Sequence, residues 1–122
     1  MISKIFGTVL LASVITTYAV ANEGNLMKGN VSKNLEFNKE NKVVKPLFSE
    51  SFKVMGIGLT KGQKLEKHQT PTAAFLYVES GKVTFSMKGE VTTLLAGDYF
   101  SIPPKEMHEV EAQEDSRLML IK

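Results

Sequence analysis

The chain has 122 residues, 43% of them hydrophobic, and a formal charge of +2. That length suffices for one domain and not for two, and its lysines, scattered among glutamates, form no basic stripe for nucleic acid. It contains no cysteine, which excludes disulfides, thiolate metal sites, thiol catalysis and attachment of lipid to a cysteine.

The chain opens with a secretory signal pattern over residues 1–21: Lys4 in a short basic start, an apolar run over 5–20 softened by Ser13, Thr16 and Thr17, then Ala19-Val20-Ala21. An apolar run of 16 residues is short of the roughly 20 that span a bilayer. The expectation is therefore cleavage, no stable membrane insertion afterwards, and a periplasmic or secreted location. Residues 22–46 are polar, rich in asparagine and lysine, and carry no useful periodicity. They read as a flexible tether into a barrel over 47–122, with a first strand near Val43-Val44 or Leu47-Phe48.

From Ser51 the chain alternates short β-rich runs with turn signals. The predicted strands are 51–59, 64–69, 73–79, 83–87, 91–95, 99–102, 107–112 and 117–121, with Lys88-Gly89 as a hairpin turn. No stretch of ten or more residues beyond the leader carries a 3.6-residue apolar stripe, so the fold class is all-β, a sandwich or barrel. Val83, Phe85 and Met87 alternate with Thr84, Ser86 and Lys88, which assigns the first three to the core. The six methionines read as gap-fillers rather than ligands.

The chain has two histidines, His68 and His108. Side chains two apart on a strand share a face. His68 and Thr70 therefore point inward together, with Ala74, Leu76 and Val78 continuing the row. His108 lies on a later strand that a closed barrel sets beside this row, so the two histidines are expected to face one pocket. Glu66, two before His68, is expected on the same side but reads as a solvated rim charge in Lys64–His68. Glu79 falls one residue off the inward row. Phe75 and Tyr77 face outward, to be covered by the N-terminal strand or by a second subunit.

The spacing resembles the two motifs of the cupin superfamily. In the first, a glycine is followed by five residues, His-x-His, three or four residues, a glutamate, six residues and a glycine. Gly62, His68 and Gly81 match it, with Thr70 at the second histidine and Ala74 at the glutamate. In the second, a glycine is followed by five residues, Pro-x-Gly, two residues, a histidine, three residues and an asparagine. Gly97, Pro103 and His108 match, with Lys105 at the glycine and Ala112 at the asparagine. The resemblance spans about Ser51 to Lys122. It implies a small cupin-type β-barrel, or double-sheet jelly roll, that binds a small ligand or metal, commonly as a homodimer.

The same resemblance implies metal ligation by His68 and His108, half of the family's ligand set. A divalent transition metal (zinc, iron, nickel or manganese) would be weakly held there, because such sites generally take three or four protein ligands. A metal-free pocket is the near-equal alternative. Ligand contacts are expected from His68, Thr70, Tyr99 and His108, with Tyr99 lining the pocket as in metal-free cupins that pair a histidine with a tyrosine. The leading expectation is an exported cupin-like protein that binds a small polar molecule. Its rivals are an isomerase or lyase using His68 and His108, and a structural or partner-binding module.

Overall fold

A computed structural model describes residues 28–122; the signal pattern over 1–21 lies outside the described residues. The strands are β1 (Val43–Ser49), β2 (Lys53–Leu59), β3 (Lys64–His68), β4 (Ala74–Ser80), β5 (Lys82–Met87), β6 (Glu90–Leu95), β7 (Tyr99–Ile102), β8 (His108–Ala112) and β9 (Ser116–Ile121). They form two antiparallel sheets, one of five strands in the order β1-β2-β9-β4-β7 and one of four in the order β3-β8-β5-β6. This is the double-sheet jelly roll that the sequence predicts.

Period-two alternation decides which face each sheet buries. On the five-stranded sheet Ile57, Leu118 and Val78 lie side by side in register, with Leu76 beside Leu120 one step along. On the four-stranded sheet Leu65, Val110 and Phe85 make the facing row. Phe85 reaches across the gap to Phe100, with ring centroids 4.2 Å apart, and these rows form a single apolar core. Two turns depend on unusual backbone. Lys88 and Gly89 both take positive φ, at 54° and 78°, giving the two-residue turn whose twist suits a β-hairpin. Gly81 has φ of 91°, and any side chain there would collide with Ser116 and with the backbone of Asp115.

The tether expected over 22–46 takes a different form in its described part. Residues 31–34 form a short helix, α1 (Val31–Asn34), capped by the Asn30 carboxamide oxygen, which accepts from the Lys33 amide. After the helix the chain crosses the outer face of the five-stranded sheet. Leu35 is wholly buried there, on a recess made by Gly56, where a Cβ would stand 2.8 Å from a Leu35 methyl. Arg117 clasps the segment from below: its Nε donates to the Leu35 carbonyl at 2.8 Å, and its guanidinium lies 4.1 Å from the centre of the Phe37 ring. β1 then begins at Val43, and Lys45 Nζ donates to the Asn34 carbonyl. Isolated apolar residues in a polar stretch show no periodicity, and only the glycine recess in β2 gives Leu35 a seat.

Leu35→Ala is therefore expected to destabilise the protein by about 2–5 kcal/mol, the range for emptying a buried leucine site. Urea unfolding followed by far-ultraviolet dichroism measures this; an unchanged midpoint would mean that the segment contributes nothing to the barrel.

Candidate functional site

The pairing of β3 with β8 brings the two histidines together. Lys64 lies opposite Glu111 and Leu65 opposite Val110, the register then slips, and His68 lies opposite His108. The irregularity between Leu65 and His68 is a bulge. It places Leu65 and His68, three apart in sequence, on the same inward face. Strict alternation would have set Glu66 beside His68; instead Glu66 is exposed, in keeping with its reading as a solvated rim charge. Without the bulge His68 would follow the parity of Glu66 and leave the barrel.

The imidazole rings are 4.4 Å apart between centroids and tilted by 58°. Each is anchored in the same way. His68 Nδ1 lies 2.7 Å from the Glu66 carbonyl oxygen and His108 Nδ1 lies 2.8 Å from the Glu106 carbonyl oxygen. A carbonyl can only accept, so each Nδ1 carries the proton and donates it. In the neutral ring the lone pair then resides on Nε2, and among the described residues no protein group engages either Nε2. His108 is only 3% exposed, and the face of Phe85 stacks on it at 5.6 Å. Burial holds its pKa below the ordinary 6.5; donation to the Glu106 carbonyl works in the opposite sense, and the neighbouring charge of His68 adds to the lowering.

The remaining expected site residues divide. Thr70 is buried, but its hydroxyl donates to the Thr72 carbonyl at 2.8 Å and its own carbonyl accepts from the Lys105 amide at 2.7 Å. Its polar groups thus serve the turn after β3. Tyr99 is not part of the pocket, contrary to expectation. It pairs with Tyr77 on the outward face of the five-stranded sheet, is 61% exposed, and stacks on Phe75 at 5.0 Å. The inward neighbour from β7 is Phe100, which packs on the core. Lys105, where the cupin motif has glycine, keeps the left-handed backbone with φ of 63°, a conformation that costs a non-glycine residue about 1 kcal/mol or more. Sequence reasoning missed the two carbonyls that fix the tautomers, although both lie two residues before their histidine.

The donor set does not suit the divalent ions expected from the cupin resemblance. Ala74 offers no donor, the Thr70 proton is engaged, and no group of three histidine, cysteine or acidic residues converges among the described residues. Two nearby acids are held by lysines, Glu106 by Lys88 at 3.6 Å and Glu109 by Lys64 at 3.9 Å.

Comparison with known proteins agrees with the fold. A family model for the cupin domain matches residues 57–121. The chain belongs to the cupin family, whose members bind small molecules or act on them as enzymes. Among solved structures, a cupin superfamily protein from Desulfitobacterium hafniense superposes with a TM-score of 0.73 at 11% identity, over 84% of this chain and 97% of that one. A conserved protein of unknown function from Streptococcus pyogenes gives 0.70 at 15% identity, over 89% and 95%. A cupin from Desulfovibrio desulfuricans gives 0.72 at 19%, over 80% and 95%. At these identities the likeness shows the fold alone. No curated protein sequence matches the chain.

The depressed His108 pKa sets a pH dependence. Below about 6.5 the unfolded chain takes up a proton at this histidine before the folded one does, so stability is lost as pH falls and regained as it rises. Thermal unfolding midpoints between pH 7 and pH 5 are expected to fall, and His108→Gln to fall less steeply over the same window. Equal slopes for the two proteins would remove His108 as the cause.

Proposed function

We propose that this cupin is an exported binding protein that holds a small polar ligand against the His68–His108 pair. The observation that carries this reading is the matched anchoring of both Nδ1 atoms on backbone carbonyls. It fixes both rings as acceptors at Nε2 and holds them side by side on an inward face. Such a pair takes a partner short of electrons, and a hydroxyl-rich molecule such as a sugar or hydroxy acid supplies suitable donors. Export rests on the signal pattern over 1–21. The rival enzymatic reading, an isomerase or lyase, draws on one observation: burial keeps His108 neutral near pH 7, the state a general base requires.

A homodimer is proposed on the outward aromatic face, where Phe75 and Tyr99 stack in the open beyond the part that Leu35 and Phe37 cover. Sedimentation equilibrium at micromolar concentration is expected to give twice the chain mass; a monomer would rule the dimer out. For the pocket, histidine ring nitrogens are followed by NMR during titration with galactose, glucose, malate and citrate. Saturable shifts at both Nε2 atoms are expected with at least one of these probes, and loss of saturation in His68→Ala and His108→Ala. The reading fails if neither ring responds to any probe, or if both variants bind as the parent does.

A further inference from the structure

The outward rows of the four-stranded sheet follow from its register. Lys64, Glu111, Thr84 and Thr93 lie side by side across β3, β8, β5 and β6, an ordinary solvated row. The next row towards the β5–β6 turn changes character. It runs through Glu109, Ser86 and Val91. Lys67 completes it at the β3 edge, because the slip that returns His68 inward leaves the preceding residue outward. Val91 is 67% exposed, more than any other large apolar residue among those described. Met107, immediately before β8, is 46% exposed, and Met87 ends β5. With the Lys88-Gly89 turn, this row and the two methionines border a cavity of about 430 Å³, within the size range of small-molecule clefts. Neither histidine lines it.

We propose that this cavity is a second binding site, distinct from the histidine pocket on the other face of the sheet, and that it takes a small monocarboxylate with an apolar tail. The tail follows from what water covers in the free protein. An exposed valine beside a half-exposed methionine is apolar surface that an alkyl chain or ring removes from water. Methionine suits the task, because its unbranched thioether adjusts to chains and rings alike. The charge follows from which ionic groups are already engaged. Glu109 is held by Lys64 at 3.9 Å and Glu106 by Lys88 at 3.6 Å, so neither acid confronts an incoming anion unneutralised. Glu66 lines a different recess, with Gln63 and Lys42, and Glu90 alternates away from Val91 to the other side of β6. Lys67 takes part in neither ion pair found among the described residues. A lysine beside apolar surface lays its methylene stem along it and keeps the ammonium at the rim, which is where the carboxylate of a ligand with a covered tail would stand. Ser86, between Glu109 and Val91, adds a hydroxyl donor. One uncommitted cation matches a singly charged head better than a phosphate dianion.

The test follows the methionine methyl groups by NMR while the purified protein, labelled at those carbons, is titrated with octanoate at pH 7. Saturable shifts of the Met107 and Met87 signals are expected, with the neutral octan-1-ol binding at least fivefold more weakly. Lys67→Gln, at an exposed position where folding is not at stake, should weaken octanoate at least fivefold and leave octan-1-ol unchanged. Lys67→Arg should keep the parent's preference for the acid. His68→Ala and His108→Ala should bind octanoate as the parent does. The proposal is overturned if no signal shifts saturably, if octan-1-ol binds as well as octanoate, or if Lys67→Gln binds octanoate as tightly as the parent. Shifts confined to Met55 and Met119, on β2 and β9 of the other sheet, would likewise sink it. Octanoate binding lost in His68→Ala or His108→Ala would move the ligand into the histidine pocket and remove this second site.

Discussion

The backbone ladder between β3 and β8, with one slip in it, is the constraint on which the site depends. A strand gives its side chains two faces only, and a change of one residue in register exchanges them. β3 uses a bulge to have both: Leu65 enters the core against Val110, and three residues later His68 returns to the same side against His108. Leu65 and Val110 hold the register because they are committed to the apolar core, so the position of the histidines is enforced by packing some distance away. The same ladder, continued through β5, brings Met87 into line.

Electrostatics then determines what the pair can accept. Burial disfavours the charged form of His108, and the neighbouring His68 acts in the same sense. Anchoring each Nδ1 to a carbonyl two residues earlier turns this into a directional statement, since both lone pairs are confined to Nε2. With Ala74 where cupins place a glutamate, no anion balances an incoming dication. The site is thus a neutral, electron-rich surface that offers acceptors to hydrogen-bond donors.

The outer face of the five-stranded sheet is divided between two fates. Gly56 and Gly58 leave a trough in β2, and Leu35 and Phe37 lie in it under the hold of Arg117. Further across the same face Phe75 and Tyr99 remain as an open stacked pair. The N-terminal segment therefore belongs structurally to the barrel, although its composition is that of a linker.

Much of this was legible in the sequence. Alternation over 73–79 and 83–87 determined the strands and their buried residues, because a sheet with one wet face must repeat every two residues. The spacing of Gly62, His68, Gly81, Gly97, Pro103 and His108 determined the family, since each is tied to a turn or a site position. Lone residues were not legible. Leu35 has no periodic companions, and its burial depends on glycines more than twenty residues away. Tyr99 looked available for the pocket until pairing with Tyr77 set its face. Glu66 and His68 share parity in a regular strand, and only the partner strand reveals the slip between them. The sequence by itself determined the strands from Ser51 onward and, through the motif spacing, the family positions on which the two histidines fall. The tertiary structure decided which groups stand beside them, because neighbours across a sheet are chosen by register, and register is a property of two strands together.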